Sequence, residues 1–347
     1  MKTSNRVFGL DVIRSISIFL VLLSHSFFIE VFELGVLGVE IFFVLSGFLI
    51  GQILIRDFTN GISLSKITDF WKRRWFRTLP MYYLILLFKF ILDHSLGYKA
   101  IVYLFFLQNN FVGITLFPIS WSLVIEEWFY LTLPIFIFFV FRKGFTKTKF
   151  SWFLIAIIIG ELLLRTGWVL YSNRNYEAIR GNFPFRFDSL VFGVLLAHIK
   201  LNYKEVYQKL TSFLVFLPAT VVVLALSIAL GKLGGYNSYA NSVVWTRTIW
   251  FTLTSMSIVF TIPFFERNTF VNGLAKYKIL FLFFTWTSIF TYGIYLIHFD
   301  VFHIPLPDVI INNVFFKTIV QYAMVYAIAA TLYFTFESRM TKLRDRK

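Results

Sequence analysis

Cysteine is absent from the 347-residue chain, which removes disulfides, thiolate metal sites and an acyl-cysteine intermediate and leaves the redox compartment open. Charge is scarce: 15% of residues are Asp, Glu, Lys or Arg, against 58% hydrophobic and 21% aromatic. A water-exposed surface cannot carry that much apolar material, 46 phenylalanines included, so the soluble classes are excluded. No low-complexity tract, no internal repeat and no polar stretch large enough for an extramembrane domain interrupts the apolar runs, so 1–347 reads as one transmembrane domain. The first apolar run lacks a small-x-small cleavage site and carries Arg14 and His25, so a cleavable signal peptide is not expected.

What is present is a series of apolar segments. At about 20 residues per span, roughly ten are expected, near 8–30, 34–56, 78–95, 120–141, 151–171, 183–199, 211–230, 247–265, 278–299 and 316–336. This is an all-α, polytopic helical membrane protein. Residues 98–111 are apolar but short and read as interfacial or re-entrant. The net charge of +15 could suggest nucleic acid, but the basic residues sit in short loops, where membrane topology explains them. Arg56, Lys66, Lys72, Arg73, Arg74 and Arg77 follow the second segment, whereas only Lys99 follows the third and 300–315 holds no Lys or Arg. The alternation continues along the chain and predicts cytoplasmic termini, a cytoplasmic 57–77, and outward-facing 99–119 and 300–315.

Ionisable residues inside such segments are expensive, and a span that carries them usually needs them. Arg14 and His25 are eleven residues apart: three helical turns plus about 20°, on one stripe and about 16 Å apart along the axis. The topology puts Arg14 in the cytoplasmic half, His25 in the outer half, and Glu126 at about the depth of His25. The outer half then gathers His25, Glu126, Glu127, Arg186, Asp188 and His298; the second span brings Glu40 and Ser46, and the ninth brings Tyr295. The inner side gathers Arg14, Arg73, Arg74 and Arg77. A neutral imidazole oriented by a carboxylate suits proton abstraction from a hydroxyl, and arginines at i, i+3 suit bidentate grip on phosphates or a carboxylate. Plainer readings stand beside these. Arg14 could pair with Asp11 one turn earlier, His25 could be an interhelical hydrogen-bonding residue, and Arg73, Arg74 and Arg77 could be topology anchors. No metal site is expected.

In order along the chain stand Leu10-Asp11-x-x-Arg14-x10-His25, Gly38-x-Glu40-x-Phe42-Phe43-x-x-Ser46-Gly47-Phe48, Arg74-x-x-Arg77-x-x-Pro80, Trp121-Ser122-Leu123-x-x-Glu126-x-x-Phe129-Tyr130, Arg186-x-Asp188 and Tyr292-x-x-Tyr295-Leu296-x-His298. Each motif alone is weak, but their order and spacing resemble acyltransferase family 3, the membrane acyltransferases of surface carbohydrates. The resemblance implies a cytoplasmic acyl-coenzyme A donor, commonly acetyl, no permanently bound cofactor, and a saccharide or glycolipid hydroxyl as acceptor at the far face of a bacterial cytoplasmic membrane. It matches His25 to the family's catalytic histidine, and Arg14, Arg74 and Arg77 to positions linked to donor handling. The chain departs in two ways. The residues up to Lys347 include no appended hydrolase-like domain, and Glu337 is followed by Ser338 instead of the family's proline.

The expected assignment is therefore His25 as general base with Glu126 as its orienting partner, Arg14 contributing to catalysis, and Arg14, Arg73, Arg74 and Arg77 on the donor. Glu40, Ser46, Glu127, Arg186, Asp188, Tyr295 and His298 are expected on the acceptor. An acyl relay through His25, Ser24 or Ser46 stays open. Two other classes compete: a proton-coupled transporter or flippase using an Arg14/His25/Glu126 relay, and an acyl-coenzyme A-binding subunit without activity of its own.

Overall fold

The computed structural model describes residues 6–26, 33–59, 61–93, 97–111, 115–232, 243–307 and 312–344. Residues 27–30 of the first expected span and 94–95 of the third lie outside them. The principal helices are α1 (Phe8–Ser26), α2 (Leu34–Thr59), α3 (Leu64–Leu92), α4 (Trp121–Phe141), α5 (Lys147–Ser172), α6 (Phe187–Asn202), α7 (Phe213–Lys232), α8 (Ile249–Val259), α9 (Lys278–Phe302) and α10 (Val314–Leu332). No strand occurs among the described residues. With water unavailable, a helix satisfies its own backbone, which is why runs rich in Phe and β-branched residues adopt it here.

Nine stretches among the described residues are long and apolar enough to cross a bilayer, one fewer than expected. The exception is α6. Its 16 residues reach about 24 Å, short of a ~30 Å hydrocarbon layer. It is instead a core helix, packed against α2, α5 and α8 and buried along most of its length. α3 starts much earlier than residue 78: Ser63 caps it, its hydroxyl accepting from the Lys66 amide at 3.3 Å, so the Lys72–Arg77 cluster is helical rather than loop. After α8 the chain breaks at Phe260 and resumes at Ile262–Arg267, because Pro263 can neither donate its backbone hydrogen bond nor fit against the preceding turn. Residues 97–111 form three short helical pieces, none long enough to cross. They fold back on α3, where the Tyr82 hydroxyl donates to the Tyr103 carbonyl at 3.0 Å.

α2 is the hub, with α1 on one side and α6 on the other. Its union with α6 is a backbone contact. A Cβ added to Gly47 would lie 1.9 Å from the Leu190 carbonyl oxygen, and one added to Gly193 would lie 2.1 Å from that of Val44. Where lipid is as apolar as leucine, such close approach through small residues supplies the packing that holds helices together. α7 and α10 sit at the rim and turn most of their side chains outward, as lipid-facing helices do. At the end of α10 the helix widens into a π turn, Tyr333–Glu337. Helices of this kind with local backbone irregularities often mark functional positions.

Candidate functional site

A cavity of about 180 Å³ opens among α1, α2, α3, α4, α9 and the π turn. Four helices each supply its polar lining: Arg14 from α1, Ser46 from α2, Arg74, Arg77 and Thr78 from α3, and Ser122 and Glu126 from α4. Ser288, Thr291, Tyr292 and Tyr295 add a fifth wall from α9, and Glu337 closes the rim from the π turn. The i, i+3 spacing brings Arg74 and Arg77 to this one face, as the sequence implies.

Each cation is held differently. Arg74 Nη2 donates to the Tyr130 hydroxyl at 2.8 Å and lies 3.5 Å from Glu126 Oε2, with its guanidinium 4.1 Å above the Tyr130 ring. The Tyr130 hydroxyl in turn meets the Ser46 hydroxyl. Arg14 Nη1 donates to Ser288 Oγ at 3.3 Å, and Ser288 donates to Asp11 at 2.7 Å. Asp11 itself is paired with Arg6 at 2.6 Å, so the Arg14–Asp11 pair considered from sequence is replaced by a hydroxyl bridge. Arg77 is exposed to the cavity, and no hydrogen bond to another described residue occupies it. Three guanidiniums against two carboxylates make a chamber suited to an anion.

At one end of the chamber Tyr295 is fixed by hydrogen bonds to Ser122 Oγ at 2.6 Å and to the Ile119 carbonyl at 3.1 Å. Behind it the His298 ring lies 5.8 Å away, and His25 lies 5.1 Å beyond that, centroid to centroid. His25 occupies the last turn of α1 and is exposed, with Phe299 edge-on at 5.7 Å. Arg14 and His25 therefore mark the two ends of one helix face, the first in the chamber and the second past its Tyr295 wall.

Several expected site residues lie elsewhere. Glu126 is not beside His25; it pairs with Arg74 inside the chamber. α4 begins at a 3₁₀ turn, Pro118–Ser120, that is itself buried, so counting from the helix start misjudged its depth. Arg73, one residue from Arg74, is about 100° off the cavity face, exposed, and paired with Asp57 at 2.7 Å. Glu127 is turned away in the same manner and accepts from Thr78 Oγ1 at 3.0 Å. Glu40, Arg186 and Asp188 do not line the chamber. They form a fully buried network between α2, α5, α6 and α8: Arg186 bonds Glu40, and Asp188 pairs with Arg165 at 2.9 Å. Ser189 and Ser255 donate to Glu40 at 3.0 and 3.2 Å, and Thr252 donates to Asp188 at 2.8 Å. Each carboxylate of this network is paired with an arginine, while Arg186 Nε and Nη1 and Arg165 Nε have no partner among the described residues. Of the two serines held open as acyl carriers, Ser46 lines the chamber, whereas Ser24 donates to its own helix at the Val21 carbonyl, 2.8 Å away.

Sequence reasoning gave no role to Tyr130, Ser288, Tyr292 or Glu337, all now in or against the chamber. Ser288 carries no signal of its own. Glu337, an acidic residue at the end of an apolar helix, did carry one.

The family profile for the acyltransferase domain of acyltransferase family 3 matches residues 7–337. The provisionally named peptidoglycan O-acetyltransferase YrhL of Bacillus subtilis is 28% identical over 94% of this chain and 54% of its own length. The peptidoglycan O-acetyltransferase OatA of Listeria monocytogenes is 33% identical over 46% of this chain and 28% of its own, and the O-acetyltransferase OatA of Staphylococcus aureus is 28% identical over 55% and 34%. This chain thus spans about half the length of the Bacillus relative and about a third of the others. No solved structure matches it significantly. With the motif order, the multi-pass helical fold and a match running almost from end to end, the chain belongs to acyltransferase family 3.

Proposed function

We propose that this protein is a bacterial membrane O-acyltransferase that moves an acyl group, in the simplest case acetyl, from cytoplasmic acyl-coenzyme A to a hydroxyl of a cell-wall saccharide. The observation that carries this reading is the chamber in which Arg14, Arg74 and Arg77 converge from two helices beside Ser46 and Glu126, with histidines beyond its far wall. The termini and the Ser63 end of α3 face the cytoplasm in this reading, supported by the loop charges. The arginines then take the anionic groups of the donor, and the thioester extends towards Tyr295. His25 removes the proton of the acceptor hydroxyl as its oxygen bonds the acyl carbon, and the C–S bond breaks. The proton passes from His25 to the leaving thiolate, so ester and free thiol are the products. A two-step path through Ser46 gives the same balance.

Protein in nanodiscs, given labelled acetyl-coenzyme A and a muramic-acid-containing glycan, is expected to yield labelled ester. His25→Gln keeps size and some hydrogen bonding but is no base near neutral pH, and should still bind donor while losing at least ~100-fold in transfer. Parental transfer by that variant would remove His25 from the chemistry. A transporter or a donor-binding subunit would form neither ester nor free thiol.

A further inference from the structure

His298 is completely buried, yet one of its ring nitrogens is unused. Its Nδ1 faces two backbone carbonyls of its own helix, Tyr295 at 2.8 Å and Ile294 at 3.3 Å. A carbonyl can only accept, so the ring proton sits on Nδ1 and Nε2 carries a bare lone pair. That Nε2 has no hydrogen-bond partner among the described residues. A buried polar atom left in this state is destabilising, and its neighbourhood says what would relieve it. Of the three rings around His298, that of His25 is nearest, 5.1 Å away between centroids and tilted by 40°, and the only one with a nitrogen to offer; those of Tyr295 and Phe302 lie at 5.8 and 6.1 Å. Two imidazoles joined by an N–H···N bond of about 2.9–3.0 Å have their centroids about 5 Å apart. The spacing is already that of the bonded pair, and a swing of the exposed His25 ring completes it.

We infer that His298 is the positioning residue for His25: its Nε2 accepts the N–H of His25, fixing the tautomer and aiming the other nitrogen at the acceptor hydroxyl. This is the orienting task that sequence depth assigned to Glu126, now given to a neutral acceptor on α9. It rests on the acyl-transfer reading above. During transfer the acceptor proton moves to the aimed nitrogen of His25, and the resulting imidazolium keeps its second N–H on His298 until the first proton leaves with the thiolate. The bond strengthens as His25 gains charge, so it favours the transition state over the ground state.

Two substitutions separate positioning from packing. Asn at 298 places its amide near Nδ1, keeping the contact with the Tyr295 carbonyl but leaving nothing at Nε2. Gln places its amide oxygen near Nε2. His298→Asn is expected to lower kcat by about 10- to 100-fold with the KM for acetyl-coenzyme A unchanged, and His298→Gln to recover part of that loss. A merely structural histidine would show neither the kcat-only effect nor the rescue. If His298→Asn turns over like the parent, or if Gln is no better than Asn, the inference is overturned. Where the parent itself forms no ester, it is the acyl-transfer reading that fails. A measurement on the unaltered protein covers the case of variants that do not assemble: ¹⁵N-histidine spectra in nanodiscs should show His298 Nε2 unprotonated and hydrogen-bonded, and a protonated or free nitrogen there would also overturn the inference.

Discussion

Glu40→Gln tests whether the buried acidic and basic residues of α2 and α6 bind substrate or hold the fold. Both side chains of the Glu40–Arg186 pair are fully enclosed. The Arg186 guanidinium already has Nε and Nη1 unpaired, and its other neighbours are Ser189 Oγ at 3.1 Å and the Phe251 ring at 3.9 Å. Gln keeps the shape of Glu40 and removes its charge, leaving a buried cation whose nearest support is a hydroxyl and a π face. Removing one partner of a buried ion pair typically destabilises by about 3–5 kcal/mol, a shift of at least a hundredfold in the folding equilibrium. The measurement is unfolding of purified protein in mixed micelles, followed by tryptophan fluorescence, with transfer rate per folded molecule measured alongside. Expected is a large loss of stability with the acceptor KM unchanged in the fraction that remains folded. Glu40→Gln combined with Arg186→Met, which removes the orphaned charge as well, should recover much of the loss. Parental stability in the single variant would refute the energetic argument. A raised acceptor KM at parental stability would return Glu40 to the substrate site.

Three further outcomes are expected. Arg74→Ala and Arg77→Ala should each weaken coenzyme A binding by about 1.5–3 kcal/mol, measured by titration calorimetry, with Lys restoring only part; Arg73→Ala should leave binding unchanged because that side chain faces Asp57. Gly47→Ala and Gly193→Ala should each lower stability by about 1–3 kcal/mol in the same unfolding assay, and wild-type midpoints would mean that α2 and α6 can separate freely. Single cysteines introduced into the cysteine-free chain at Lys66 and His303 should be, respectively, protected from and labelled by an impermeant thiol reagent in intact cells; the reverse pattern would invert the topology.

The helices and the cavity arginines were legible because both follow from period and spacing. Apolar length announces a span, and i, i+3 announces a shared face, so Arg74 and Arg77 went together and Arg14 joined them. Pairing across the bundle was not legible. Glu40, Arg186 and Asp188 are expected on the acceptor, and their pairing in the core could not be foreseen, because an intramembrane charge looks the same in sequence whether it awaits a ligand or already has a partner. Their partners, Arg165 on α5 and Ser255 and Thr252 on α8, are distant in the chain and carry no periodic signal. Arg165 and Glu161 were passed over altogether, although Glu161 accepts the backbone N–H of Phe187. Depth was the other weak inference. Counting residues from each helix start assumes that every helix starts at the same level, and α4 starts inside the protein. The same assumption made Glu126 the partner of His25 and put His298, one wall further on, with the acceptor rather than beside His25.

The glycine contact between α2 and α6 has a mechanical consequence. With no side chain between the two backbones, neither helix can roll or slide without driving a carbonyl oxygen into the other chain, so this pair behaves as a fixed partition. A carrier that rocks between two open states needs a seam that slips, and this seam is keyed. The partition stands beside the chamber, since Ser46 of α2 lines the cavity and no residue of α6 does, so in the proposed function that wall stays still and the donor's own flexible arm is the moving part.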